Sequence, residues 1–223
     1  MSGGGVSGGG PRPGRIVVVT GTGTGVGKTW AACEVARHLG ERGLRVCARK
    51  LAQSFGPDEG LTDAEQLAAA TGETAAEVCP PARWYPRAMA PPMAAESLGL
   101  APFSLDDLFG ELRWPPGADV GLVECAGGVG SPQAANGDGA EVVERLAADT
   151  VVLVAGAGLG ALNDVRLAAR ALSGHPLVVY LNHFGPDDEV HVRNRRWLAD
   201  RDGLVVAVNV AQLAEVVLGT SPR

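Results

Sequence analysis

The reading of residues 17–29, VVVTGTGTGVGKT, decides the fold. A run of β-branched residues gives way to glycine at every second position from Gly21 to Gly27, then Lys28 and Thr29. The next stretch, residues 29–40 (TWAACEVARHLG), has apolar side chains at helical spacing and stops at a glycine. A glycine-rich turn between strand and helix exposes backbone N–H groups, and the helix N-terminus adds partial positive charge, so the segment can cradle phosphate. Gly21, Gly23, Gly25 and Gly27 permit backbone shapes closed to other residues. Lys28 would reach the β- and γ-phosphates, and the Thr29 hydroxyl would ligate Mg²⁺. Gly23, Thr24, Gly25, Val26, Gly27, Lys28 and Thr29 are therefore the candidate nucleotide-binding residues. The spacing departs from the usual pattern. G-x-x-x-x-G-K-[ST] wants its first glycine at Thr22, and Gly21 comes one residue too early. The alternative is a glycine-rich turn with no ligand.

The bulk properties bound the remaining choices. A chain of 223 residues is enough for one domain with a large core. Aromatic residues are only 4%, so that core must be built from Val, Leu and Ala. The net charge of −6 argues against nucleic acid as the main partner, because neutralising a phosphate backbone needs a basic face. It leaves room for a small anionic ligand in a local pocket of donors. Cys33, Cys47, Cys79 and Cys125 form no C-x-x-C pair and no metal-ligand cluster with the four histidines. They read as small core residues of a cytoplasmic protein in a reducing compartment. No apolar run reaches the length of a membrane span. Residues 1–14 (MSGGGVSGGGPRPG) lack the apolar segment of a signal peptide and read as a disordered Gly-rich tail before a single domain over residues 15–223.

Apolar runs at 16–20, 45–51, 120–124, 150–154, 177–181 and 204–208 predict strands. Helical patterns occupy 29–40, 62–71, 162–172 and 189–200, the second opening on Thr62 and Glu65 as a capping box. Strands apolar throughout are buried on both faces, which predicts an α/β fold with a mostly parallel sheet and helices on both faces. In such sheets ligands gather beyond the carboxyl ends of the strands. Residues 21–29, 50–54, 124–132, 156–163 and 182–186 are polar or Gly-rich clusters that each follow a predicted strand.

Mg²⁺ wants hard oxygen ligands, and beyond Thr29 the candidates are Asp63 and Glu124. Glu124 ends the apolar strand VGLVE, where an unpaired carboxylate is costly to bury. A cation would resolve that cost, and so would a salt bridge. Asp63 reads equally well as a solvated acid in the first turn of a helix.

The motifs VTGTGTGVGKT, RKLAQS, TDAEQLAAATG, RWYPRAMAPPMAAE, VGLVECAGGVGSP, GLGALN and LNHFGP stand in this order over residues 16–190. Together they resemble the dethiobiotin synthetases of the P-loop NTPase superfamily, whose loop carries the same extra residue. The resemblance implies a single-domain P-loop NTPase that works as a homodimer. It would use ATP, Mg²⁺ and CO₂ or bicarbonate to close a ureido ring on a 7,8-diaminononanoate in biotin biosynthesis. The carbamate forms on one amine, takes the γ-phosphoryl group, and is attacked by the second amine. Carried over by position, Lys28 and Lys50 are the catalytic lysines, Thr24 contacts carbamate and phosphate, and Ser54 contacts the substrate. Thr29, Asp63 and Glu124 are the Mg²⁺ ligands. Gly160, Ala161 and Asn163 form the turn that receives the substrate carboxylate from the partner subunit, and Asn182 reads the adenine edge. Taken locally, Asn163 and Asn182 read as turn residues or caps.

The chain departs from this pattern at four places. Leu51 replaces a proline after the second strand, Cys125 replaces a glycine and so must avoid positive φ or carry strain, the segment 56–63 over the substrate is short, and the Gly-x-Ile-Pro turn beside the base is missing from residues 205–219. These departures keep three alternatives open: a paralogue carboxylating a different amine, a partition- or amidoligase-type P-loop ATPase, and a nucleotide-binding module without chemistry.

Overall fold

The computed structural model describes residues 10–56 and 60–219. Ten strands and nine α-helices are distributed along these residues. The strands are β1 (Arg15–Gly21), β2 (Val46–Lys50), β3 (Gln53–Ser54), β4 (Trp84–Tyr85), β5 (Val120–Glu124), β6 (Pro132–Ala134), β7 (Gly137–Asp138), β8 (Thr150–Gly156), β9 (Leu177–Asn182) and β10 (Val205–Ala207). The helices are α1 (Lys28–Glu41), α2 (Asp63–Thr71), α3 (Ala75–Val78), α4 (Pro91–Ser97), α5 (Leu105–Glu111), α6 (Gly139–Leu146), α7 (Ala161–Ala171), α8 (Glu189–Arg196) and α9 (Val210–Val217). The predicted single helix over 189–200 is α8 followed by a wide π-type turn, Trp197–Arg201.

Six strands form one parallel sheet in the order β10-β9-β8-β1-β5-β2, with β1 inside. Successive side chains of a strand point to opposite faces, and both faces here are apolar. Val17, Val19, Leu122, Val152 and Tyr180 pack under α1, α2 and α9, while Val18, Val123, Leu153, Val179 and Leu181 pack under α4 to α7. That double burial explains why the strands read as continuous apolar runs rather than alternating ones.

Register then decides where function can sit. Lys50 pairs with Glu124 across β2 and β5, and Val19 pairs with the same Glu124 across β1 and β5. The carboxyl ends of the three strands therefore open at one level.

Of the tail, residues 1–9 lie outside the described residues. Just before β1 the chain is fastened to the body. Pro13 is buried, Gly14 donates its N–H to Ala118 O at 3.1 Å, and the Arg12 guanidinium meets Asp149 at 2.9 Å. The four cysteines are free and buried, and burial pushes their thiols up to about 12, which keeps them inert. Among the described residues no helix is long and apolar enough to cross a membrane.

Candidate active site

The loop from β1 to α1 wraps the start of the helix. Two of its four glycines hold positive φ, Gly25 at 76° and Gly27 at 95°. At Gly27 a Cβ would also lie 2.1 Å from Asn182 Nδ2, so glycine is required there on two counts. The Lys28 ammonium curls back over the loop and donates to Gly23 O at 2.9 Å.

Beside the loop, two strand ends and two helix starts bring four polar side chains together. Lys50 is 2% exposed; it donates to Glu124 Oε1 at 2.7 Å and pairs with Asp63. The Thr29 hydroxyl lies 2.8 Å from Asp63 Oδ1 and 3.0 Å from Glu124 Oε1. It has one proton for two carboxylates, so it can donate to only one of them. Glu124 Oε2 is buried and has no hydrogen-bond partner. Negative oxygen is thus in excess of the donors around it, and this is a setting that a hard divalent cation fits. Thr29, Asp63 and Glu124 are the residues that could hold it, with water filling the remaining positions. The salt-bridge reading of Glu124 is realised as well, through Lys50.

Charge states follow from burial and neighbours. Burial lifts the Glu124 carboxyl above its ordinary value, although Lys50 pulls the other way. Burial alone would also raise Asp63, yet Lys50, by charge and hydrogen bond, carries it below the usual carboxylate range. Desolvation would lower Lys50, but Glu124 and Asp63 together hold its ammonium above the usual lysine range. Lys28 goes down, chiefly because it is buried.

All of this lines one cavity of about 460 Å³, with Thr24, Gly25, Gly27, Lys28 and Thr29 on one wall and Lys50, Asp63 and Glu124 deep within it. The opposite wall comes from Ser54 and residues 88–91, and Ser54 Oγ donates to Met89 O at 2.5 Å. Ala126, Gly127 and Ser131 close a third side.

Replacing proline with Leu51 does not divert Lys50 from this cavity. Cys125 avoids positive φ, which among the described non-glycine residues occurs only at Ala147 and His183. Residues 57–59 of the short segment over the substrate lie outside the described residues.

Three other candidates sit elsewhere. Gly160 and Ala161 begin α7, and the exposed Asn163 donates to Asp164; none of the three lines the cavity of its own chain. Asn182 ends β9 buried, and its Nδ2 donates to Val26 O at 3.0 Å, bracing the loop from below. Sequence reasoning gave no role to Trp30, Met89 or Pro91, which also line the cavity. Met89 and Pro91 lie within the motif RWYPRAMAPPMAAE, where the proline pair at the start of α4 marks a helix start rather than a ligand.

A family model described as an AAA domain matches residues 15–216. The ATP-dependent dethiobiotin synthetase of Mycobacterium avium is 38% identical over 165 residues, covering 73% of this chain and 70% of that protein. That of Anaeromyxobacter dehalogenans is 36% identical over 183 residues, covering 80% and 81%. Among solved structures, a DUF1611 family protein from Anabaena variabilis is 17% identical with a TM-score of 0.52, covering 92% of this chain, which spans 57% of that one. The signal recognition particle receptor FtsY of Elizabethkingia anophelis is 16% identical with a TM-score of 0.53, covering 93% and 65%. These two structures share the fold and carry no more than that.

Proposed function

Because the chain belongs to the family of ATP-dependent dethiobiotin synthetases, we propose that it carboxylates 7,8-diaminononanoate and closes the cyclic urea of dethiobiotin at the expense of ATP. The observation that carries the proposal is the convergence of Lys28 and Lys50 on one cavity with Thr29, Asp63 and Glu124. An anionic carbamate that attacks an anionic phosphate needs positive charge between the two, already in place before reaction.

In this reading the backbone N–H groups of residues 23–29 hold the phosphates, and Lys28 turns from Gly23 O toward the β- and γ-oxygens. Thr24 stands at the cavity wall where phosphate and carbamate meet. Lys50 neutralises the carbamate as the γ-phosphoryl group is transferred to it. The second amine then attacks the carbamate carbon, phosphate leaves, and the amine gives up its proton as the ring closes. Ser54 orients the diamine. Thr29, Asp63 and Glu124 would hold Mg²⁺, which supplies neutralising charge on the β- and γ-phosphates when bound. Lys50 pairs with Asp63 and Glu124, two of the side chains that would hold the ion. Gly160, Ala161 and Asn163 would take the substrate carboxylate in a homodimer, reaching the partner subunit's cavity.

The test is a steady-state assay of purified protein with the diamine, bicarbonate, ATP and Mg²⁺. Ureido product and ADP should form one for one. Phosphate release that needs neither amine nor bicarbonate would sink the proposal. Turnover of a different diamine alone would establish the paralogue reading instead.

A further inference from the structure

We infer that Trp30 is the stacking platform for the base of the bound nucleotide, so that the base is held by its face. This rests on the reading of the cavity as a nucleoside triphosphate site. Asn182 gives one of its two amide hydrogens to the loop, at Val26 O. It is buried and lies against Gly27 under the loop. Trp30 follows Thr29 directly, in the first turn of α1, and is the only aromatic residue among the described residues that line the cavity. It is 48% exposed, although the core contacts of α1 belong to its neighbours Ala31 and Ala32.

One side of the indole is supported. Its ring lies 6.3 Å from that of Tyr180 at an interplanar angle of 22°, and Tyr180 is buried in β9. The pair gives a large, flat and fixed surface at the mouth of a phosphate cavity, with much of the indole still open. A triphosphate held along residues 23–29 emerges at the start of α1, which puts the nucleoside within reach of this surface. Every base has a π-face, so such a platform tolerates all of them.

The experiment is calorimetric titration of the full chain and of Trp30→Ala, Trp30→Leu and Trp30→Phe with ATP, GTP and inorganic triphosphate, each with Mg²⁺. Wild type should bind both ATP and GTP more tightly than inorganic triphosphate. Trp30→Ala should lose roughly ten- to hundredfold for ATP and for GTP, with inorganic triphosphate unchanged. Trp30→Leu, which keeps Tyr180 covered without an aromatic face, should match Trp30→Ala, and Trp30→Phe should restore most of the loss. A Trp30→Ala or Trp30→Leu protein that binds ATP like wild type overturns the inference. So does an equal loss for inorganic triphosphate, which would make Trp30 a support of the loop. Wild type binding ATP no better than inorganic triphosphate removes the platform and leaves the phosphate site standing; binding of neither removes both.

Discussion

At Lys50 one ammonium answers to two carboxylates, and all three groups are shielded from water. Removing the lysine takes from buried Glu124 the cation it is paired with, a loss that costs about 3–5 kcal/mol when a buried pair is broken. Lys50→Ala is therefore expected to do two separate things: abolish turnover and lower the melting temperature. Nucleotide binding, which depends on the loop, should mostly remain. Adding Glu124→Gln to Lys50→Ala removes the orphaned charge and should recover much of the stability but none of the turnover. Thermal melts and ADP release on the same preparations separate the two effects, and normal turnover by Lys50→Ala would end its catalytic assignment. Gly27 poses a similar question for the backbone. Alanine there meets an unfavourable left-handed conformation, roughly 1–2 kcal/mol, and the amide of Asn182 as well. Gly27→Ala should lose stability and ATP affinity together. The loss should shrink in an Asn182→Ala background, because only the steric part is relieved. Identical losses in both backgrounds would mean that Asn182 does not brace the loop.

Among the elements, α2 deserves its own test because it delivers Asp63. Thr62 accepts from Glu65 N, while the Glu65 carboxylate accepts from both Thr62 N and Thr62 Oγ1. Those bonds hold Glu65 below the usual carboxylate range. A depressed folded value means that the stabilisation is fully present above the unfolded value, about 4.3 for Glu, and is lost as pH falls through the folded one. The stability gap between wild type and Glu65→Gln should therefore be constant near neutrality and close on acidification; a gap that widened in acid would reverse the sign. Thr62→Ala should cost about 1 kcal/mol at neutral pH. This box was legible in the sequence because capping is local, with donor and acceptor three residues apart. The strands were legible for a related reason, since burial on both faces leaves an unbroken apolar run such as that of β5. Helices α4, α5 and α6 were not assigned from the sequence, although Ser104 and Asp138 are capping residues of the same kind as Thr62. They cover one face of the sheet, and their limits are set by what they pack on rather than by a long periodic pattern. In the candidate site, Lys28 and Thr29 announce themselves by motif. The contact of Lys50 with Glu124, 74 residues away, depends on strand register. The bracing role of Asn182 spans 156 residues and had no local signal at all.

For the molecule as a whole, the question is whether one chain completes its own site. Helix α9 packs through Leu213, Ala214 and Val217 into the same core as α1, on one face of the sheet, and its Glu215 pairs with Arg42 just past the end of α1. The nucleotide half of the cavity is therefore supported within the chain, and Leu213→Ala should cost about 2–5 kcal/mol of unfolding free energy with loss of ATP affinity. The substrate half is different. Gly160, Ala161 and Asn163 stand at the carboxyl edge of the sheet, outside the cavity of their own chain. If they serve the proposed function they serve it in a second copy, and a two-fold dimer makes that testable by complementation. Lys50→Ala removes the chemistry from one kind of site, and Asn163→Ala weakens carboxylate capture in the site across the interface. Each variant alone should be nearly inactive. Unfolded together and refolded as a mixture, half of the dimers are mixed, and each mixed dimer carries one site with Lys50 and Asn163 both intact. The other site of the same dimer carries both defects. Activity should return to about a quarter of the wild-type value by this symmetry count. No recovery, from a mixture shown by sedimentation to be dimeric, would place the carboxylate receptor somewhere other than the start of the partner's α7.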